Sequence, residues 1–160
     1  MFYGLQIASL LLVSITMALS LTHALEFPGK MRLPKDQYLA IQTVYYPGFT
    51  IGGIAEPLSI LATLALLTIT PTGQAFWLIF AALIALAAAH AVFWLVTQPV
   101  NKFWLAGEKL SGLSASFFGK APAERDGWMT LRDRWEYSHV ARAFLSAGAL
   151  VLLIIAVTLG

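Results

Sequence analysis

Residues 75–97 read AFWLIFAALIALAAAHAVFWLVT, a run of 23 positions in which His90 is the one titratable side chain. A helix rises about 1.5 Å per residue, so roughly 20 such residues cross a hydrocarbon core about 30 Å thick. Lipid is the solvent that fits an apolar run of this length. Three further stretches have the same character. Residues 5–23 carry no charge before His23, residues 49–70 carry Glu56 alone, and residues 137–158 carry His139 and Arg142 near their start. The pattern predicts four transmembrane helices in one integral membrane domain over residues 1–160, an all-α four-helix bundle.

The composition agrees. Hydrophobic residues make up 59% of the 160 positions and charged ones 11%, with a mean hydropathy of +0.76. A soluble domain typically carries about a quarter charged residues, so this chain lacks the groups to cover a water-facing surface. The net charge of +2 does not point to nucleic acid, because the basic residues flank apolar spans. With no cysteine, disulfides, thiolate ligands and cysteine nucleophiles are excluded. Residues 5–23 have no basic segment before them and are read as a retained helix, not a cleaved leader.

All ten Lys and Arg fall between Lys30 and Arg142, on the side reached by the first and third connections. The opposite side has the uncharged turn Thr70–Gln74 and the two termini. The positive-inside rule then places both charged loops in the cytoplasm and both termini outside, in a cytoplasmic (inner) membrane. The first loop, residues 24–48, predicts a short helix over Lys35–Val44 among its prolines. The second, residues 98–134, starts at Pro99 and predicts an amphipathic helix over Val100–Leu110, a Gly/Ser-rich turn, and a charged stretch over Glu124–Arg134. Trp104, Trp128, Trp135, Tyr45 and Tyr46 lie near the membrane boundary and read as an aromatic belt.

The titratable groups gather at the same end. Glu56 lies about 9 Å inside the start of the second span, and His90 about 10 Å before the end of the third. His23 ends the first span, while Glu136, His139 and Arg142 open the fourth. Periodicity gives their facing. Ser9, Thr16, Ser20 and His23 make one stripe; Gly52, Glu56, Ser59 and Thr63 another; Glu136, His139, Ala143, Ser146 and Ala147 a third. In the Ala-rich third span, His90, Trp94 and Thr97 share a side. Small and polar residues mark helix contacts in lipid, so these groups are expected to point inward.

Histidines and carboxylates converging from separate helices can bind metal. His23, Glu56, His90, Glu136 and His139 are the candidate ligands, and Glu136-x-x-His139 has the spacing used by di-iron carboxylate bundles. Iron, copper or zinc would suit such donors, and two histidines on facing helices could instead sandwich a haem, with His90, His139 and Trp94 at the cofactor. The bland reading is a set of boundary polar groups with Glu56 paired to Arg142.

The segments Gln98-Pro99-Val100-Asn101 and Trp135-Glu136-Tyr137-Ser138-His139-Val140-Ala141-Arg142 resemble the anthrone-oxygenase-like family of small membrane proteins. That family includes fungal enzymes that oxidise an anthrone to an anthraquinone with molecular oxygen. The resemblance implies an oxygen-dependent oxidation of an aromatic substrate and singles out Asn101, Trp135, His139 and Arg142 as catalytic positions. Three functions then compete. One is an oxidoreductase acting on a lipophilic molecule that reaches a lipid-accessible pocket near Trp94 and Trp135. In it His139 serves as ligand or general base, and Arg142 as oxyanion partner. The second is a non-catalytic anchoring subunit of a homo-oligomer or larger membrane complex. The third is a proton pathway through Glu56 and His90, opposed by the lack of titratable groups in the outer two-thirds of the bundle.

Overall fold

A computed structural model of the chain describes residues 2–104 and 127–159. Every regular element among them is helical: α1 (Phe2–Lys30), α2 (Lys35–Gln42), α3 (Gly48–Gly52), α4 (Ala55–Ile69), α5 (Gln74–Val92), α6 (Gln98–Trp104) and α7 (Trp128–Thr158). Four stretches are long and apolar enough to cross a membrane: Phe2–Lys30, Gly48–Ile69, Gln74–Trp104 and Trp128–Thr158. They close into a ring in which α7 packs on α1 and α5, while α4 packs on the same two helices from the other side. The all-α bundle of four apolar helices is thus the fold.

The bundle is layered along its axis. Toward the termini its centre is mainly apolar, built from Val13, Leu66, Ile79, Leu86, Ala149 and Leu153, with Gln6 and Ser9 of α1 buried at the same end. Toward the charged end the centre turns polar. Thr16, Ser20 and His23 of α1 are all buried, as are Glu56, Ser59 and Thr63 of α4, and Glu136, His139 and Ser146 of α7. The outside is the reverse, with Leu11, Leu95, Phe144 and Val151 exposed on it. Apolar side chains lose nothing in hydrocarbon, so polar and small residues take the helix contacts.

The ends of the spans differ from the sequence reading, and each difference places a side chain of the site. The first helix does not stop at His23 but runs on through Pro28 to Lys30. Glu26 and Lys30 are thereby one turn apart on one face and pair at 3.4 Å. The second span is broken. Gly52 and Gly53 interrupt it, since glycine is among the poorest helix formers, and α4 restarts just before Pro57. Proline is tolerated in a first turn, where its missing N–H would have no partner. Glu56 therefore sits in the first turn of α4, where the helix dipole favours a carboxylate. At Gly52, α3 comes so close to α1 that an added Cβ would stand 3.0 Å from Leu19 Cδ1.

The third span does not exit at Pro99. A π-helical turn, Phe93–Thr97, joins α5 to α6, with the Gln98 N–H bonded to the Phe93 carbonyl five residues back. This wider turn precedes the proline that has no N–H to give, and the helix continues to Trp104. The remainder of the expected Val100–Leu110 helix, the Gly/Ser-rich turn and Glu124–Asp126 lie outside the described residues. The fourth helix starts at Trp128, nine residues before the apolar run, with Leu131 and Trp135 packed on Val100 of α6. In the first loop the expected Lys35–Val44 helix is α2, followed by a 3-10 turn over Thr43–Tyr45.

Candidate functional site

The four polar stripes meet around one cavity of about 650 Å³ at the charged end of the bundle. His23, Glu56, His90, Trp94, Asn101, Trp135, His139 and Arg142 all line it, each from its own register position on α1, α4, α5, the π turn, α6 or α7. Five more aromatic rings line it, from Tyr45, Tyr46, Phe49, Phe93 and Trp104.

Three polar networks hold these groups. In the first, Arg142 donates through Nη2 to Glu56 Oε2, and its Nη1 stands 3.4 Å from His139 Nδ1. Both partners of this ion pair are buried, so within the membrane each neutralises a charge that hydrocarbon would penalise. His90 Nδ1 faces the other Glu56 oxygen at 3.4 Å. His90 Nε2 accepts a hydrogen bond of 2.9 Å from the Trp94 indole, which can only donate. A neutral His90 therefore carries its proton on Nδ1, toward Glu56.

The second network lies behind Trp135. Lys30, 4% exposed, places its ammonium 3.1 Å from Glu136 Oε1 and 3.4 Å from Glu26 Oε2. It also stands 4.7 Å from the Trp135 ring centroid, a cation–π contact. The Tyr38 hydroxyl donates to Glu136 Oε1 at 2.9 Å, and the Tyr45 hydroxyl donates to Glu26. Burial, reinforced by Glu136, pushes the Tyr38 phenol far above its ordinary value. Burial and then the bond to Glu26 do the same for Tyr45, so both remain donors.

The third network ties α6 to α7. Trp135 Nε1 donates to Asn101 Oδ1 at 2.6 Å, Asn101 Nδ2 donates to Gln98 at 3.2 Å, and the Thr97 and Ser138 hydroxyls meet at 2.8 Å. The two segments that carry the family resemblance are thus in direct contact. His23 and His139 close the centre, their ring centroids 4.1 Å apart, with Trp135 4.8 Å from the first and 4.3 Å from the second.

Several expectations change in this setting. Glu136 is fully buried yet turned away from the cavity, committed to Lys30 and Tyr38, so Glu136 and His139 do not share a ligand position. His90 has its Nε2 lone pair engaged by Trp94, and Glu56 is bound to Arg142. Among the described residues no three His, Asp or Glu side chains converge as a metal site. For the haem expectation at His90, His139 and Trp94, His90 Nε2 accepts the Trp94 indole N–H, while His139 packs on His23 with ring centroids 4.1 Å apart. Thr97 does not share the side of His90 and Trp94, because the π turn shifts the register and sends it to Ser138. Trp135, at 3% exposure, belongs to the interior and not to an aromatic belt. Lys30 and Tyr38 were not singled out from sequence; the Glu26-to-Lys30 spacing of four is the signal that carried the first.

Comparison of the chain with protein-family models, characterised proteins and solved structures finds no match. The site must be read from its own geometry. Its buried polar atoms His139 Nε2, Glu56 Oε1 and Arg142 Nε have no hydrogen-bond partner among the described residues, and all three side chains line the cavity. Unsatisfied buried polar groups carry a free-energy penalty, and convergent ones in an aromatic chamber are what a polar ligand atom would relieve.

Proposed function

We propose that this chain is an oxidoreductase of the cytoplasmic membrane, with its charged loops in the cytoplasm. It takes a lipophilic aromatic molecule bearing a carbonyl or phenol oxygen into the cavity and oxidises it with molecular oxygen. The observation that carries this reading is the cavity: about 650 Å³, with aromatic rings, imidazoles, a guanidinium and a carboxylate all in its wall. Ligand chambers of about 300–1,000 Å³ with few convergent polar groups hold molecules of three or four fused rings. The resemblance to the anthrone-oxygenase-like family and the basic bias of the loops support the reading independently.

The residues divide the work. Arg142 donates toward His139 Nδ1, which leaves the His139 proton on Nε2 as a donor to a ligand oxygen. With its proton on Nδ1, the nitrogen facing Glu26 Oε2 at 3.8 Å, His23 would offer Nε2 as the base. With an anthrone, His23 would take a ring-methylene proton while His139 stabilises the enolate oxygen. The carbanion then adds molecular oxygen, and the hydroperoxide loses water to leave the ketone. One oxygen molecule is consumed and one water released per methylene oxidised.

The test uses purified protein in lipid nanodiscs with a hydroxyanthrone as substrate, following tryptophan quenching and oxygen uptake. Quenching with oxygen uptake above the uncatalysed rate is expected. His23→Gln should abolish uptake and retain quenching. Wild-type protein that neither quenches nor consumes oxygen would overturn the proposal.

A further inference from the structure

We infer that the ligand reaches this cavity sideways from the bilayer, through a portal framed by Ile51, Ile54, Pro57 and Trp94. The inference rests on the cavity being a binding site, as proposed above. It adds the route by which a molecule dissolved in lipid would enter.

Among the side chains that line the cavity, these four are the exposed ones, and all are apolar. Ile51 is 66% exposed, Ile54 56% and Trp94 47%. Of the charged and imidazole groups of the lining, His23, Glu56, His139 and Arg142 are buried, and His90 is 33% exposed beside Trp94. At the loop end Gln42 is buried, and Tyr45, Tyr46 and Trp104 are half-buried. The open side of the chamber therefore faces where lipid tails lie, on two membrane-spanning stretches.

Both stretches depart from α-helix at this height. The second breaks between α3 and α4 at Gly53 and Ile54, and the third makes its π turn over Phe93–Thr97. Two regular helices would pack side by side here. A broken helix opposite a π turn leaves a gap, and π turns recur at functional sites. Trp94 forms one side of it. Its indole N–H stays bonded to His90, so the ring is latched to the Glu56–Arg142 pair. A ligand that swings Trp94 aside breaks that latch and frees the His90 lone pair.

The chain has no cysteine, so single cysteines can be introduced and blocked after reconstitution. Ile54→Cys places the block in the portal. Val151→Cys, 55% exposed on α7, is a lipid-facing control, and Tyr46→Cys tests access from the loop end. Each variant is labelled with a bulky maleimide in phosphatidylcholine nanodiscs. Dihydroxyanthraquinone is then delivered from donor vesicles, and tryptophan quenching is followed by stopped flow. Labelled Ile54→Cys should bind about tenfold more slowly or worse, with labelled Val151→Cys unchanged. An unchanged rate at Ile54, or slowing at Tyr46 alone, overturns the portal and leaves the binding site standing. No quenching by unlabelled protein removes the binding site itself, and the portal with it.

Discussion

Replacing Lys30 by methionine should strand two carboxylates, and the structure sets the size of the effect. Glu136 is fully buried, and its partners are the Lys30 ammonium at 3.1 Å and the Tyr38 hydroxyl at 2.9 Å. At an effective dielectric near 20, a pair at that distance attracts by about 5 kcal/mol. Desolvation offsets much of this in the intact protein, so the pair's net contribution is small. Removing one partner leaves the other charge buried and uncompensated, which costs about 3–5 kcal/mol. Glu26 suffers less, because its side chain is 38% exposed and stays partly solvated. Lys30→Met alone is thus expected to lose about 3 kcal/mol or more, and Lys30→Met with Glu136→Gln to recover at least about 2 kcal/mol of it. Unfolding by sodium dodecyl sulfate titration, read by tryptophan emission, measures both, since Trp135 lies against the ammonium. If the two substitutions add to within about 0.5 kcal/mol, Lys30 and Glu136 are not coupled and the second network is wrong.

Two further outcomes follow from the same geometry. Asn101→Leu leaves the Trp135 indole N–H without its 2.6 Å acceptor, so a loss of about 1–3 kcal/mol is expected in the same titration. A loss below about 0.5 kcal/mol would show that α6 is fastened to α7 some other way. Alkaline pH gives the third test, through Tyr38 and Tyr45, whose phenols are raised above the ordinary value of 10.0. The unfolded chain releases these protons near pH 10 while the folded one keeps them, so their stabilisation is complete below that pH and falls away above it. Wild-type stability should decline above about pH 10, and the decline should be shallower in Tyr38→Phe than in wild type. Equal slopes would place Tyr38 in contact with water.

The spans were legible because lipid imposes a length and a composition that nothing else in the chain mimics. The inward stripes were legible for a related reason. In hydrocarbon a polar side chain has one low-energy place to go, so Ser9, Thr16, Ser20 and His23 had to face the bundle, and they do. Hydropathy could not give the ends. It scores Glu26, Lys30 and the stretch Trp128–Arg134 as polar, yet these residues extend their helices: Lys30 by pairing with two carboxylates, Arg132 by lying 5.2 Å from the Trp128 ring centroid. Pro99 misled differently. A proline ends an α-helix by default, and the π turn that carries the helix past it leaves no mark in composition.

The site divides along the same line. His23, Glu56, His90, His139 and Arg142 sit deep enough that lipid on the outer face forces them together, and they share the cavity. Glu136 lies at the end where water removes that pressure, and there spacing misjudged the partner. Three residues leave Glu136 about 60° around the helix from His139, and that offset sends one side chain to Lys30 and the other to the cavity. Trp135 is ambiguous in sequence for the same reason, since an interfacial ring and an inward one occupy the same depth. An Glu-x-x-His pair inside a span constrains both side chains to the interior. At a boundary it constrains neither, and a metal-ligand reading then needs a second carboxylate with no cation beside it. Glu136 has Lys30 3.1 Å from its Oε1, so its charge already has a counter-ion.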